Sequence, residues 1–142
     1  MSIFVLQTST AMKRLIILLI GAVVFSASAS ASEPVTRHPD GTVTINTGTL
    51  KTVEGCFGPT PLIIQLDSAG TVSKIEALPN DETPSYWEVV VTGLTKLFVG
   101  VPAGQIPAME VDAISGATYS SEGFLSNLKT GIEYYLDNNN QQ

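Results

Sequence analysis

The sequence predicts a small α+β domain with a mainly antiparallel sheet and two principal helices packed on it. Residues 62–67 and 71–78 are apolar, strand-like runs joined by a short turn that contains glycine. The second run alternates only in part, which a bulge near Lys74 would explain. Residues 84–100 and 120–136 instead repeat apolar side chains at helical spacings of three and four. Because strands and helices are segregated along the chain, the α+β class is favoured over a parallel α/β fold.

Shorter patterns predict the remaining elements. Residues 42–46 alternate polar and apolar side chains, and residues 49–57 are rich in β-forming residues, so both are predicted to be strands. Residues 108–111 are predicted to form a short strand before the second helix. Thr83 and Pro84 fit the N-cap and the first position of the first helix.

The N-terminal residues 1–31 predict a secretory signal peptide. Lys13 and Arg14 form a positive start, an apolar run continues to Phe25, and small residues with A-x-A spacing follow. The run reaches only about half way across a ~30 Å hydrocarbon core, so a stable membrane anchor is the less favoured alternative. Met12, directly before the positive pair, is an alternative start. We therefore expect an exported protein without stable membrane insertion after cleavage.

Cleavage is expected after Ala31, or alternatively after Ala29. The chain that remains is interpreted in three parts. Residues 32–49 form a polar leader and a first strand, residues 50–137 form the main domain, and residues 138–142 form a polar tail. The main domain is long enough to bury a single hydrophobic core.

Charge and residue content exclude several classes of function. Residues 32–142 hold five Lys or Arg and thirteen Asp or Glu, a formal net charge of 5 − 13 = −8. An acidic surface argues against nucleic acid and anionic lipid as partners. Cys56 and His38 are the only residues of their types, which excludes an internal disulfide and a cysteine-rich metal centre. We interpret Cys56 as a small packed residue and His38 as exposed, so a bound cofactor must supply any chemistry.

The segment 112–121 is the most informative part of the chain, because it combines a strand end, a tight turn and a helix start. Gly116 and Ala117 leave the backbone open to a ligand, and the first helical turn offers unpaired N–H groups. Thr118 and the two following serines add hydroxyl groups, so the place suits a phosphate. The spacing alone leaves a second interpretation open, namely a helix cap and a turn without a ligand.

The same residues resemble the flavinylation motif of the FMN-binding domain family. Residues 112–118 read Asp-Ala-Ile-Ser-Gly-Ala-Thr, and Ser120 and Ser121 follow. The family includes the covalent-flavin subunits of the Rnf complex and of the sodium-translocating NADH:quinone oxidoreductase, and small exported flavoproteins. In that family the last threonine of the motif receives FMN through its phosphate, from FAD, by a separate Mg-dependent flavin transferase. The resemblance therefore implies a phosphoester between FMN and Thr118.

The resemblance also implies roles for the neighbouring residues. Thr118 Oγ would be the nucleophile towards the FAD pyrophosphate, and the transferase would supply the base and the metal. The turn before it would present the hydroxyl group, and Asp112 would be the acidic position that modification needs. The expected FMN-binding residues are Thr118, Asp112, Ser115, Gly116, Ala117, Tyr119, Ser120, Ser121, Glu82, Thr83 and Pro84. No metal-binding residue is expected.

The likeness extends over about residues 50–136. Residues 55–58 are similar to the family's glycine–aromatic–glycine segment, and residues 82–84 match its Glu-Thr-Pro before a helix. The family continues there with glycines, whereas this chain has Ser85-Tyr86-Trp87. Tyr86 or Trp87 could stack on the flavin ring, or Trp87 could belong to the core of the helix, which we favour.

Phe57 and Tyr119 leave the same two interpretations open, a place in the core or a contact with the flavin ring. Taken together, these features predict an exported flavoprotein that carries electrons in an extracytoplasmic redox chain. A flavin transferase and redox partner proteins are its expected partners. Two alternatives stay open: a module that binds FMN or a nucleotide without a covalent bond, and an exported interaction domain without a cofactor.

Overall fold

Four antiparallel strands form one sheet in the order β1-β2-β3-β4. The computed structural model describes residues 32–141. The strands are β1 (Val35–Arg37), β2 (Val43–Asn46), β3 (Leu62–Leu66) and β4 (Val72–Ala77). The predicted signal peptide, residues 1–31, lies outside the described residues.

The hairpin of β3 and β4 confirms the most regular strand pattern in the sequence. Gln65 pairs with Lys74 and Leu66 pairs with Val72, so Ser73 is the extra residue of a bulge, close to the predicted position. Asp67 closes the turn, because its Oδ1 accepts from the backbone N–H of two later turn residues. The strands place alternate apolar side chains on one buried face, and the other face is partly exposed.

Two helices cover the apolar face of the sheet, as the sequence predicts. Helix α1 (Pro84–Phe98) begins with Pro84 at its first turn and buries Trp87, Val90, Leu94 and Phe98. Helix α2 (Thr118–Asn139) packs on β2, β3 and α1. Its fully buried side chains include Phe124, Leu128 and Ile132. The α+β class with two principal helices is thus confirmed, and no helix within residues 32–141 is long and apolar enough to span a membrane.

Three local predictions are wrong. Residues 49–57 form no strand, because the amide of Val53 donates to Ser126 Oγ on α2 instead of pairing in the sheet. The supposed leader contains β1, which pairs with β2 through a turn at Gly41 with φ 86°. Residues 108–111 form no strand, because the 3₁₀ helix Ala103–Ala108 includes the first of them and the rest have no sheet partner. Helix α2 continues to Asn139, two residues into the predicted polar tail.

Three small or polar residues let α2 approach the chain segment that precedes β3. A Cβ on Gly123 would lie 2.8 Å from Thr60 Oγ1 and 2.9 Å from the backbone N of Gly55, and one on Gly131 would lie 2.8 Å from Thr47 Cγ2. Between them, the buried Asn127 side chain accepts from the hydroxyl group of Thr47 at 2.7 Å. Residues 47–60 are therefore held directly against the helix that carries the motif.

Candidate functional site

A cleft of about 250 Å³ lies where α1 and α2 begin. Three chain segments line it: residues 56–57, residues between 82 and 86, and residues 116–120. A wider depression of about 580 Å³ lies near His38 and Thr44 and contains no residue of the motif, so volume alone does not identify the site. The cleft is slightly smaller than the usual ~300 Å³ of a small-molecule site, which suits partial enclosure of a ligand.

Thr118 is the first residue of α2 and is exposed at the edge of the cleft. The N-cap is Ala117, which has no side chain that could cap the helix, so the first N–H groups have no side-chain partner there. Gly116 adopts φ 80°, a conformation that favours glycine, and the amide of Ala117 donates to Ile114 O at 2.9 Å. A hydroxyl group and a helix N-terminus therefore meet at one point, the arrangement expected for a bound phosphate.

The two serines of the motif hold the site together. Ser121 is fully buried, and its Oγ donates to Ala117 O at 2.7 Å and accepts from the amide of Ile114 at 3.0 Å. This pair of bonds fixes the turn before Thr118. Ser120 lines the cleft, but its hydroxyl group donates to Glu82 Oε2.

The remaining expected site residues divide between the cleft and its surroundings. Thr83 lines the cleft and is the N-cap residue of α1, although its hydroxyl group makes no capping bond. Pro84 is exposed at the start of α1 and does not line the cleft. Asp112 and Ser115 are also exposed and lie outside the cleft lining, whereas Tyr119 is part of it. Seven of the eleven expected residues thus line the cleft, Ser121 fixes the turn before Thr118, and Ser115 lies in that turn.

Three exposed aromatic side chains line the cleft. Phe57 is 60% exposed, Tyr86 is 56% exposed and Tyr119 is 67% exposed. Trp87 is buried and meets Phe124 edge-on, with ring centroids 6.2 Å apart, so its place in the core is confirmed. Exposed aromatic rings grouped around one cleft are typical of a binding site for a flat ring.

The interpretation of Cys56 as a packed residue is wrong, because its side chain is exposed and lines the cleft. Residues 55–58 form a tight turn in which the amide of Gly55 donates to Gly58 O at 2.9 Å and Gly58 has φ 135°. Glycines at both ends of the segment allow this turn. The consequence is that the thiol faces the same space as Thr118.

Sequence reasoning missed the residues of α2 that hold residues 47–60 against this helix. Gly123, Asn127 and Gly131 recur every four residues on α2, at positions where glycine and asparagine lower helix propensity. Small or polar residues repeated on one face of a helix indicate that another segment of the chain packs closely against that face. Sequence reasoning also gave no reason to expect that Glu82 is buried, at 6% exposure.

The residues present fit FMN. The exposed hydroxyl group of Thr118 and the free N–H groups of the first helical turn suit a phosphate, and the aromatic walls suit an isoalloxazine ring. The positive end of the helix dipole offsets part of the phosphate charge. When bound, FMN supplies the capacity to accept and release one or two electrons.

Comparison with known proteins agrees with this geometry. No curated protein matches the chain. A family model described as the FMN-binding domain matches residues 55–133, just over half of the chain. The match includes all three segments that line the cleft, so a flavin-binding role and FMN as the cofactor are supported by the family as well as by the site. The chain belongs to the FMN-binding domain family.

Proposed function

We propose that this protein is an exported flavoprotein that carries FMN phosphoester-linked to Thr118 and acts as an electron carrier in an extracytoplasmic redox chain. The observation that carries the proposal is the position of Thr118. Its side chain is exposed, it begins α2, and it lies on the edge of a cleft with three exposed aromatic walls. It is also the residue that the motif of the family indicates for attachment.

Thr118 Oγ is the one group of this chain that forms a bond in the attachment reaction. Thr118 Oγ attacks the phosphorus on the FMN side of the FAD pyrophosphate, a new P–O bond forms, and the bond to AMP breaks. AMP leaves, and the hydroxyl proton passes to a base of the flavin transferase, which also supplies Mg²⁺. The protein gains the mass of one FMN less one water. The turn that Ser121 fixes holds Thr118 at the end of the helix, where a transferase can reach it.

The cleft supports an electron carrier better than a stand-alone enzyme. Its lining contains no histidine, and the single histidine of the chain lies at a separate depression near Thr44. Within residues 32–141 no group of three or more metal-binding side chains is present. The chain therefore orients and partly covers the flavin, while partner proteins donate and accept the electrons. A covalent bond would also keep the cofactor attached outside the cytoplasm.

The first experiment is the intact mass of the exported protein, produced together with a flavin transferase. We expect wild type to gain one FMN less one water and Thr118→Ala to gain nothing. Thr118→Ser keeps a hydroxyl group and should retain at least part of the modification. Thr92→Ala, an exposed threonine of α1, is the matched control and should be modified like wild type.

Two results would contradict the proposal in different ways. A yellow protein of unmodified mass that loses its colour on acid denaturation would indicate binding of FMN without a covalent bond. A colourless protein of unmodified mass, with a transferase that is active on another substrate, would refute the flavinylation of Thr118. The second result would favour an exported interaction domain in which the motif is only a turn and a helix start.

A further inference from the structure

Glu82 is a buried carboxylate that joins two walls of the cleft. The residue is 6% exposed, and it lines the cleft beside Thr83. Oε1 accepts from the backbone N–H of Phe57 at 2.8 Å, and Oε2 accepts from the hydroxyl group of Ser120. One side chain therefore connects the turn 55–58 with the first turn of α2.

The burial of Glu82 depends on these two donors. The one salt bridge found within residues 32–141 joins Lys74 to Glu76 on β4, so no cation pairs with Glu82 there. A buried carboxylate without a cation needs hydrogen bonds at its oxygens, because desolvation of an unpaired charge is costly. Both carboxylate oxygens have a donor, each from a different part of the chain.

The residues around the Glu82 carboxylate leave room for it and fix its position. A Cβ on Gly55 would lie 2.6 Å from Glu82 Oε1, closer than any side chain can approach. On the other side, the amide of Glu82 donates to Asn80 Oδ1 at 3.0 Å, and Asn80 Nδ2 donates to Leu78 O at 3.0 Å. Glycine at position 55 and the closed loop at 78–82 thus hold the carboxylate in place.

We propose that Glu82 is a positioning residue of the flavin cleft rather than a group that binds FMN directly. Its carboxylate sets the distance between Phe57, an aromatic wall, and the first turn of α2, which carries Thr118. The inference rests on the proposed function for the identity of the ligand. The hydrogen bonds from Phe57 and Ser120 to Glu82 form without the ligand, so they can be tested separately from FMN binding.

The test compares four variants of the full exported chain: Glu82→Ala, Glu82→Gln, Ser120→Ala and, as the control, Glu88→Gln. Glu88 is an exposed carboxylate of α1. Glutamine at position 82 can still accept from the amide of Phe57 and can donate to Ser120 Oγ, so it should preserve the geometry. Thermal unfolding first establishes that each variant is folded.

Three quantities are measured on each variant. Hydrogen exchange at the Phe57 amide is measured without flavin, the initial rate of FMN incorporation from FAD is measured by intact mass, and the bound flavin is observed by visible circular dichroism. We expect Glu82→Ala and Ser120→Ala to raise the exchange rate about tenfold and to slow incorporation by a similar factor, as the loss of hydrogen bonds at a buried charged group implies. Glu82→Gln should restore most of the loss seen in Glu82→Ala, and Glu88→Gln should match wild type.

Three outcomes would overturn the role of Glu82. The first is unchanged exchange at Phe57 in both Glu82→Ala and Ser120→Ala. The second is faster exchange with incorporation and flavin dichroism equal to wild type, which would make the contact structural only. The third is a Glu82→Gln variant as impaired as Glu82→Ala, which would assign the effect to charge instead of position. Wild type that takes up no FMN overturns the proposed function, and exchange at Phe57 then still decides whether Glu82 holds the two walls.

Discussion

Replacement of Asn127 by alanine should weaken the attachment of α2 to the segment that leads to the cleft. Asn127 is 1% exposed, and its side chain accepts from Thr47 Oγ1 at 2.7 Å and donates to Thr60 Oγ1 at 3.2 Å and to Gly123 O at 2.9 Å. The same Thr47 oxygen accepts from the amide of Leu62 at 2.8 Å. The variant would leave the buried Thr47 hydroxyl group without its acceptor and would break the contact between α2 and the start of β3.

The expected loss follows from these three bonds. Each buried hydrogen bond contributes about 1 kcal/mol to the free energy of unfolding, so their sum is about 3 kcal/mol. Alanine has a higher helix propensity than asparagine and returns about 0.5 kcal/mol. The net destabilisation by Asn127→Ala should therefore be about 2–3 kcal/mol.

Asn138→Ala is the matched control on the same helix. Asn138 Nδ2 donates to the carbonyl oxygen of Tyr134 at 2.7 Å, the same i−4 bond that Asn127 makes, but this bond is exposed. Asn138 lies in the last turn of α2, where the gain in helix propensity is smaller than at Asn127, so the control isolates the loss of an exposed i−4 bond. We expect Asn138→Ala to change the free energy of unfolding by less than about 0.5 kcal/mol.

Urea unfolding followed by Trp fluorescence measures both variants, because Trp87 is the only tryptophan and is buried against Phe124. With an m-value of about 1.5 kcal/mol/M, the midpoint of Asn127→Ala should fall by about 1.3–2 M relative to wild type. A difference below about 1 kcal/mol between Asn127→Ala and Asn138→Ala would refute the reasoning. The polar network would then add nothing to the stability beyond an exposed bond.

Three further predictions concern the cleft, the N-terminus and the pH dependence. Tyr86→Leu should reduce the quenching of FMN fluorescence with little change in stability. Trp87→Leu should cost about 2 kcal/mol in urea unfolding, followed for this variant by far-UV circular dichroism, and should leave quenching intact. Equal quenching in all three proteins would exclude stacking by Tyr86. Intact mass should place the N-terminus of the exported protein at Ser32, and a retained N-terminal segment would contradict cleavage there. Hydrogen bonds from the side chain and the amide of Thr42 lower the pKa of Asp40. The carboxylate therefore stabilises the fold above its ordinary pKa, and this stabilisation is lost as the pH falls through the folded-state pKa. Asp40→Asn should lose less stability in acid than wild type, and an acid profile equal to that of wild type would contradict this prediction.

Local patterns predicted the regular elements well where the chain segment suffices to determine its structure. The β3–β4 hairpin followed from alternation around a turn, and α1 followed from apolar spacing after a proline at its first turn. The motif at 112–121 was also visible from local residues. The core position of Trp87 could be predicted because its neighbours at helical spacing are apolar.

Elements that depend on distant partners could not be predicted in this way. Residues 49–57 have strand-forming composition, yet Val53 bonds to a serine of α2 that is 73 residues away. Strand β1 is three residues long and lies in a segment rich in proline and charge, so only its pairing with β2 reveals it. Cys56 was assigned to the interior because small apolar residues are usually buried, and the turn at Gly58 places it in the cleft instead.

The sequence by itself determined the fold class, the hairpin, the two helices and the motif that identifies Thr118, because each depends on residues close together in the chain. Only the tertiary structure decided what surrounds that threonine. Glu82 accepts hydrogen bonds from Phe57, 25 residues earlier in the chain, and from Ser120 at the start of α2, 38 residues later, and no local pattern encodes these bonds. Burial depends on the whole folded chain. Glu82 lies between an aspartate and a threonine in the sequence, and nothing in these neighbours indicates that its carboxylate will be buried.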